Sequence, residues 1–217
     1  MVDASLYPAI KQAIKANELG PASPYQPSFA RVGQSGASFG IFQGDAHVNP
    51  TARNVLTQVL QASGADPATV ARIVGLVSQA CPNGNPLTPA DTTLANNALS
   101  SPAGMQLVDQ MDNQLLNVVL GNLDTSIAAA TAQNMTIDPA ALLYIALWVN
   151  MTGAPNTLNQ WIGGTAVAGV APPTPPTVTV ANITAYLLAN RFFVQHPGNF
   201  PHFQQSAQSG VPLLPAV

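Results

Sequence analysis

Charge is what this chain of 217 residues has least of. Asp, Glu, Lys and Arg together make up 7% of it, against about 25% in ordinary soluble domains. Nine acidic side chains face six basic ones, for a net charge of −3, and no Lys/Arg cluster marks a nucleic-acid surface. Cysteine occurs once, as Cys81. That excludes an internal disulfide and any multi-cysteine metal site, and leaves a small buried or half-buried thiol. The apolar share is 47%, yet no uninterrupted apolar run reaches the roughly 20 residues that span a bilayer. The best candidate, 140–149, reads as a buried core helix. The first residues hold no continuous apolar segment of signal-peptide type. The expectation is a soluble protein that stays in the cytoplasm, or leaves by lysis or a non-classical secretion route. Phosphate-binding glycine loops, dinucleotide fingerprints and serine nucleophile elbows are missing, so no cofactor or metal is expected.

What is present is mostly helical pattern. Asp3 or Ser5 can cap a first helix running to about Glu18, with Pro8 tolerated in its first turn. A Pro/Gly/Ser-rich stretch follows, in which "FARVG" and "ASFGIFQ" suit short strands. Beyond Asn49-Pro50 the helical period resumes, and the cap-then-proline opening recurs at Asp66-Pro67, Thr88-Pro89, Ser101-Pro102 and Asp138-Pro139. A shorter helix is expected around "PNTLNQWIG" and another over "VANITAYLLANRFFVQHP", followed by an irregular tail. The class expected is α+β, mostly α, with a small β element between the first and second helices. The domain reading is 1–168 as one domain, 169–177 as a Pro-rich linker or loop, and 178–217 as a helix and tail packing on it.

Glu18 is the only glutamate of the chain. It continues the stripe Leu6, Ile10, Ile14 at i+4 spacing, so it points where apolar side chains point. It also lies in the last helical turn, where carbonyl ends repel negative charge. Both effects raise a carboxyl pKa, and a carboxylic acid protonated near neutrality is what a general acid requires. The alternative is an ordinary surface glutamate at a fraying helix end, with Lys15 one turn back as its partner. Asp45 is either the second carboxylate that glycoside hydrolysis usually needs, or a turn aspartate in "QGDA".

These residues resemble the lysozyme-like superfamily. "SFGIFQGD", 38–45, is similar to the aromatic-Gly-apolar-apolar-Gln-x-Asp stretch of goose-type lysozymes and to the Gly-x-x-Gln of lytic transglycosylases, in which a catalytic glutamate ends a helix upstream. "LLYIALWVNMTGAPNTLNQWIGG", 142–164, resembles the core helix of phage-type lysozymes, with Trp148, Asn150 and Gly153 in comparable positions. The resemblance implies a two-lobed fold and a muramidase, a glycoside hydrolase cleaving peptidoglycan or a related aminosugar polymer, with antimicrobial, endolysin or secreted-effector roles. It implies Glu18 as general acid and Asp45 as second carboxylate, with Ser38, Phe39, Gly40, Gln43, Tyr25 and Asn150 contacting substrate. Tyr25, Phe39, Phe42 and Trp161 either offer ring faces to sugars or pack in the core. Residues 19–44 contain no acid. That keeps open a lytic transglycosylase with a single acid, a chitosanase-like enzyme, and a non-catalytic glycan-binding or structural module on the same scaffold.

Overall fold

A computed structural model describes residues 1–30, 33–153 and 155–216. In chain order the elements begin with a 3-10 turn, Ala4–Leu6, leading into α1, Tyr7–Glu18. Three short strands follow: β1 Ser28–Phe29, β2 Ala37–Phe39 and β3 Gly44–Asp45. Next come α2 Pro50–Ala62, α3 Pro67–Val77, α4 Pro89–Ser100 and the long α5 Pro102–Ala132. After β4 Thr136–Ile137 stand α6 Pro139–Thr152 and α7 Asn156–Ile162. β5 Thr177–Val178, α8 Val180–Ala189, α9 Arg191–Gln195 and α10 Phe200–Gly210 complete the order. The class is α+β, mostly α, with the β element between α1 and α2.

The cap-and-proline openings are realised in side-chain hydrogen bonds. Asn49 accepts from Thr51 N at 2.9 Å, Asp66 from Ala68 and Thr69 N at 3.0 Å, and Asp138 from Ala140 N at 2.8 Å. Ser101 Oγ accepts from Gly104 N at 3.0 Å. Each cap satisfies backbone donors that a helix start leaves open, and the proline beside it has no N–H to satisfy.

The chain forms two compact units, Met1–Gly20 with Leu116–Val217, and Pro21–Leu115. The Pro-rich 169–177 segment and the residues after it lie inside the discontinuous unit. In the continuous unit, β2 pairs antiparallel with both β1 and β3, in the order β1-β2-β3. Its core gathers Phe39 with Leu56, Leu60, Ile73, Leu99 and Met111. In the discontinuous unit, α6 is buried from Ala141 to Val149 and packs with α1, α8 and α10. Gly210 lets α10 approach α1: a Cβ there would stand 2.5 Å from the carbonyl oxygen of Ala9. Trp148, Phe193, Phe200 and Phe203 form an aromatic cluster around the end of this layer.

Four expectations change. "SFGIFQ" is not one strand but a hairpin: β2 ends at Phe39, a tight turn follows, and β3 begins at Gly44. Of "FARVG", only Phe29 is in a strand, while residues 31–32 lie outside the described residues. The expected irregular tail contains α10, because Phe200, Phe203, Ala207 and Gly210 make a buried stripe at helical spacing and Pro201 sits harmlessly in the first turn. The Pro-rich 169–177 segment ends in a strand, since β5 pairs in parallel with β4 (Thr136↔Thr177, Ile137↔Val178). By length and composition α5 could also cross a membrane: it has 31 residues and a mean hydropathy of 1.2 over an 18-residue window, with 33% of that window buried. It nevertheless carries Asp109, Asp112 and Asp124.

Candidate active site

Ile10 and Ile14 are fully buried on α1, and one turn further along the same stripe Glu18 is half-buried. Two amides converge on it. Asn17 Nδ2 donates to Oε1 at 3.1 Å, and Asn150 Nδ2, from the last turn of α6, donates to the same oxygen at 2.9 Å. The ring of His202, at the start of α10, lies 3.1 Å from the carbonyl oxygen of Asn17 through Nε2. Burial is the largest influence on the carboxyl and pushes its pKa above the ordinary glutamate value; the two amides and the charge of His202 offset part of this.

The two amides occupy one oxygen of Glu18 and leave the other open to a proton. An amide NH2 only donates, so Oε1 is held as an acceptor by both asparagines. Oε2 takes no hydrogen bond among the described residues. The protonated acid therefore carries its hydrogen on Oε2. Lys15 does not pair with Glu18, nor with any other carboxylate among the described residues.

Asn150 is thus brought to Glu18, within the discontinuous unit. The other candidates belong to the continuous unit, and most of them build the β2–β3 hairpin. Asp45 accepts from Ser35 Oγ at 2.9 Å, from Gly36 N at 3.0 Å and from His47 N at 2.8 Å, as a turn aspartate would. Gln43 has φ +49°; its Nε2 donates to Gly40 O at 3.1 Å and its Oε1 accepts from Ser28 Oγ at 2.6 Å. Ser38 is buried, and its carbonyl accepts from Ser28 Oγ at 3.1 Å.

Gly40 is required twice over. Its φ is +81°, and a Cβ would stand 2.5 Å from Asp112 Oδ1. Asp112, buried on α5, accepts from the Ile41 and Phe42 N–H groups of the turn at 2.8 and 3.3 Å. Phe39 is wholly buried in the core, which corrects its assignment to substrate, and Phe42 and Trp161 are buried as well. The Trp161 Nε1 hydrogen bonds to Ala171 O at 2.8 Å. Tyr25 packs against the core, and its hydroxyl donates to Asp109 at 2.9 Å; burial, then that bond and the carboxylate charges, push its pKa up to about 12.

Asn17, His202 and Asp112 were not found by sequence reasoning. The contacts of His202 and Asp112 are made across long sequence separations, and no local pattern announces them. Asn17 adjoins Glu18 and was open to notice as a neighbouring amide donor. Among the described residues, no three His, Cys, Asp or Glu side chains gather as metal ligands. Compared with known families, curated proteins and solved structures, the chain matches no family model, no curated protein and no solved structure.

Proposed function

We propose that the chain cleaves glycosidic bonds of peptidoglycan or a related aminosugar polymer, with Glu18 as general acid. The observation that carries this is the only glutamate, half-buried at a helix end, raised in pKa and bonded through Oε1 so that Oε2 is left free to carry a proton. In the step proposed, Oε2–H protonates the leaving glycosidic oxygen as its bond to the anomeric carbon breaks. A nucleophile then adds to that carbon and returns a proton to the Glu18 carboxylate.

If the nucleophile is water, the reaction is hydrolysis, with Asp45 as the second carboxylate expected of a muramidase. If it is a hydroxyl of the same sugar, the product has an anhydro end and one acid suffices. The three hydrogen bonds committing Asp45 to its own turn favour the one-acid version. Access to the wall would come by lysis or a dedicated secretion route.

The test is clearing of purified cell-wall suspensions by wild type and Glu18→Gln. Glutamine keeps the shape and an acceptor oxygen but has no acidic proton. The expected loss is about 10²- to 10⁴-fold. Equal rates remove Glu18 as the acid, and no clearing by either protein, with binding retained, supports a non-catalytic glycan-binding module. Reducing versus anhydro product ends separate hydrolysis from transglycosylation.

A further inference from the structure

A groove of about 350 Å³ opens along α1 and α10 in the discontinuous unit. Its walls include Gln12, Lys15 and Gly20 from the first twenty residues, with His202, Gln205 and Ser209 from α10. The volume is within the range of small-ligand sites. Its chemistry is one-sided. Amides, hydroxyls, a lysine and a histidine line it, and among the described residues no carboxylate does. Lys15 is one of only six Lys and Arg residues in the chain, and among the described residues it enters no ion pair. His202 joins the groove to Glu18, since it lines the one and bears electrostatically on the other. At the Gly20 end nothing among the described residues lies within 4 Å of where a Cβ would be.

A sugar chain with its scissile bond at Glu18 Oε2 would carry a neighbouring residue or substituent into this groove. Amides and hydroxyls suit sugar hydroxyl and acetamido groups. An ammonium without a protein partner suits a carboxylate and repels an amine. We propose that the groove is the subsite for a carboxylate-bearing aminosugar, with Lys15 pairing with the carboxylate and Gln12, Gln205 and Ser209 bonding its neutral polar groups. The inference rests on the glycan-cleaving reading and narrows its substrate class: an anionic peptidoglycan-type polymer is favoured, and a cationic chitosan-type polymer is not.

The experiment is an NMR titration of the full chain with N-acetylmuramic acid, which bears an ether-linked lactate carboxylate, and with N-acetylglucosamine, which lacks it. N-acetylmuramic acid should shift the groove amides and bind about fivefold more tightly, a difference of about 1 kcal/mol, the upper end for a solvent-exposed ion pair. Lys15→Gln should erase that preference. Lys11→Gln removes the same charge from the same helix outside the groove lining and should preserve it. Equal binding of the two sugars, absence of groove shifts with either, or a preference surviving Lys15→Gln overturns the proposal. The two readings fail separately: preference without wall clearing sinks the glycosidase and keeps the subsite, whereas Glu18-dependent clearing without preference does the reverse.

Discussion

Replacing Asn150 by alanine isolates one of the two amide hydrogen bonds that favour the ionised form of Glu18. Asn150 Nδ2 reaches Oε1 at 2.9 Å and is one of two amides acting on a carboxyl that burial otherwise drives toward its neutral form. A hydrogen bond to an ionised group is worth about 1.5–3 kcal/mol, and a neutral one about 1. Glu18 keeps some contact with solvent, so the low end applies: about 1.5 kcal/mol with the carboxylate and about 0.5–1 with the acid.

Asn150→Ala should therefore destabilise the fold more at about pH 8 than at about pH 4, by roughly 0.5–1 kcal/mol. Losses from the cavity and from helix propensity are common to both conditions and cancel. The sign follows from the raised pKa. The stability linked to Glu18 is fully present below the ordinary glutamate value and is lost as pH rises through the higher folded value. Removing a donor that favours the carboxylate steepens that loss and moves the titration further up. The assay pairs urea unfolding at the two pH values with a carbon NMR titration of glutamate-labelled protein, in which Glu18 gives the single glutamate resonance. Equal penalties at the two pH values, or a midpoint that stays or falls, would refute the account of the acid.

Gly40→Ala places a Cβ 2.5 Å from Asp112 Oδ1 and 2.9 Å from Met111 Cε at φ +81°, and should cost about 2–4 kcal/mol in urea unfolding; a loss under about 0.5 kcal/mol would contradict the hairpin geometry. Asp45→Asn leaves Gly36 N, His47 N and Ser35 Oγ with a weaker acceptor. It should cost about 1–2 kcal/mol of stability while cleavage falls less than about tenfold, and a loss matching that of Glu18→Gln would instead make Asp45 a catalytic carboxylate. Cys81 is buried, and burial followed by the charge of Asp45 holds its thiol pKa up. Alkylation by iodoacetamide near neutral pH should therefore be much slower than for a free cysteine, and equal rates would mean that the loop opens readily.

The helical part of the fold was legible because its signals are local. Asp66-Pro67 or Asp138-Pro139 contains both the acceptor that caps the helix and the residue preorganised to start it. The hairpin was not legible at its turn. Gly40 and Gln43 take positive φ, and Asp112, distant in sequence, holds the turn's N–H groups. The two-residue strands β4 and β5 are too short to leave an alternating pattern. In the candidate site, Glu18 stood out through composition and its place on an apolar stripe, and Asn150 through family resemblance. His202 did not: "QHPGNFPHF" reads as a turn-rich tail, and only the docking of α10 on α1 places its ring by Asn17.

The unit that holds Glu18 is assembled from two separated pieces of chain, Met1–Gly20 and Leu116–Val217. During synthesis Glu18 emerges long before its partners. At about 5–20 residues per second, roughly ten to forty seconds pass between the appearance of Glu18 and that of His202. Through that interval α1 lacks α10, and for most of it α6 as well, and a helix of its length is marginal by itself in water. The glutamate then is an ordinary hydrated carboxylate. The packing that buries it and raises its carboxyl pKa arrives last, and the intervening residues 21–115 can form their own core first.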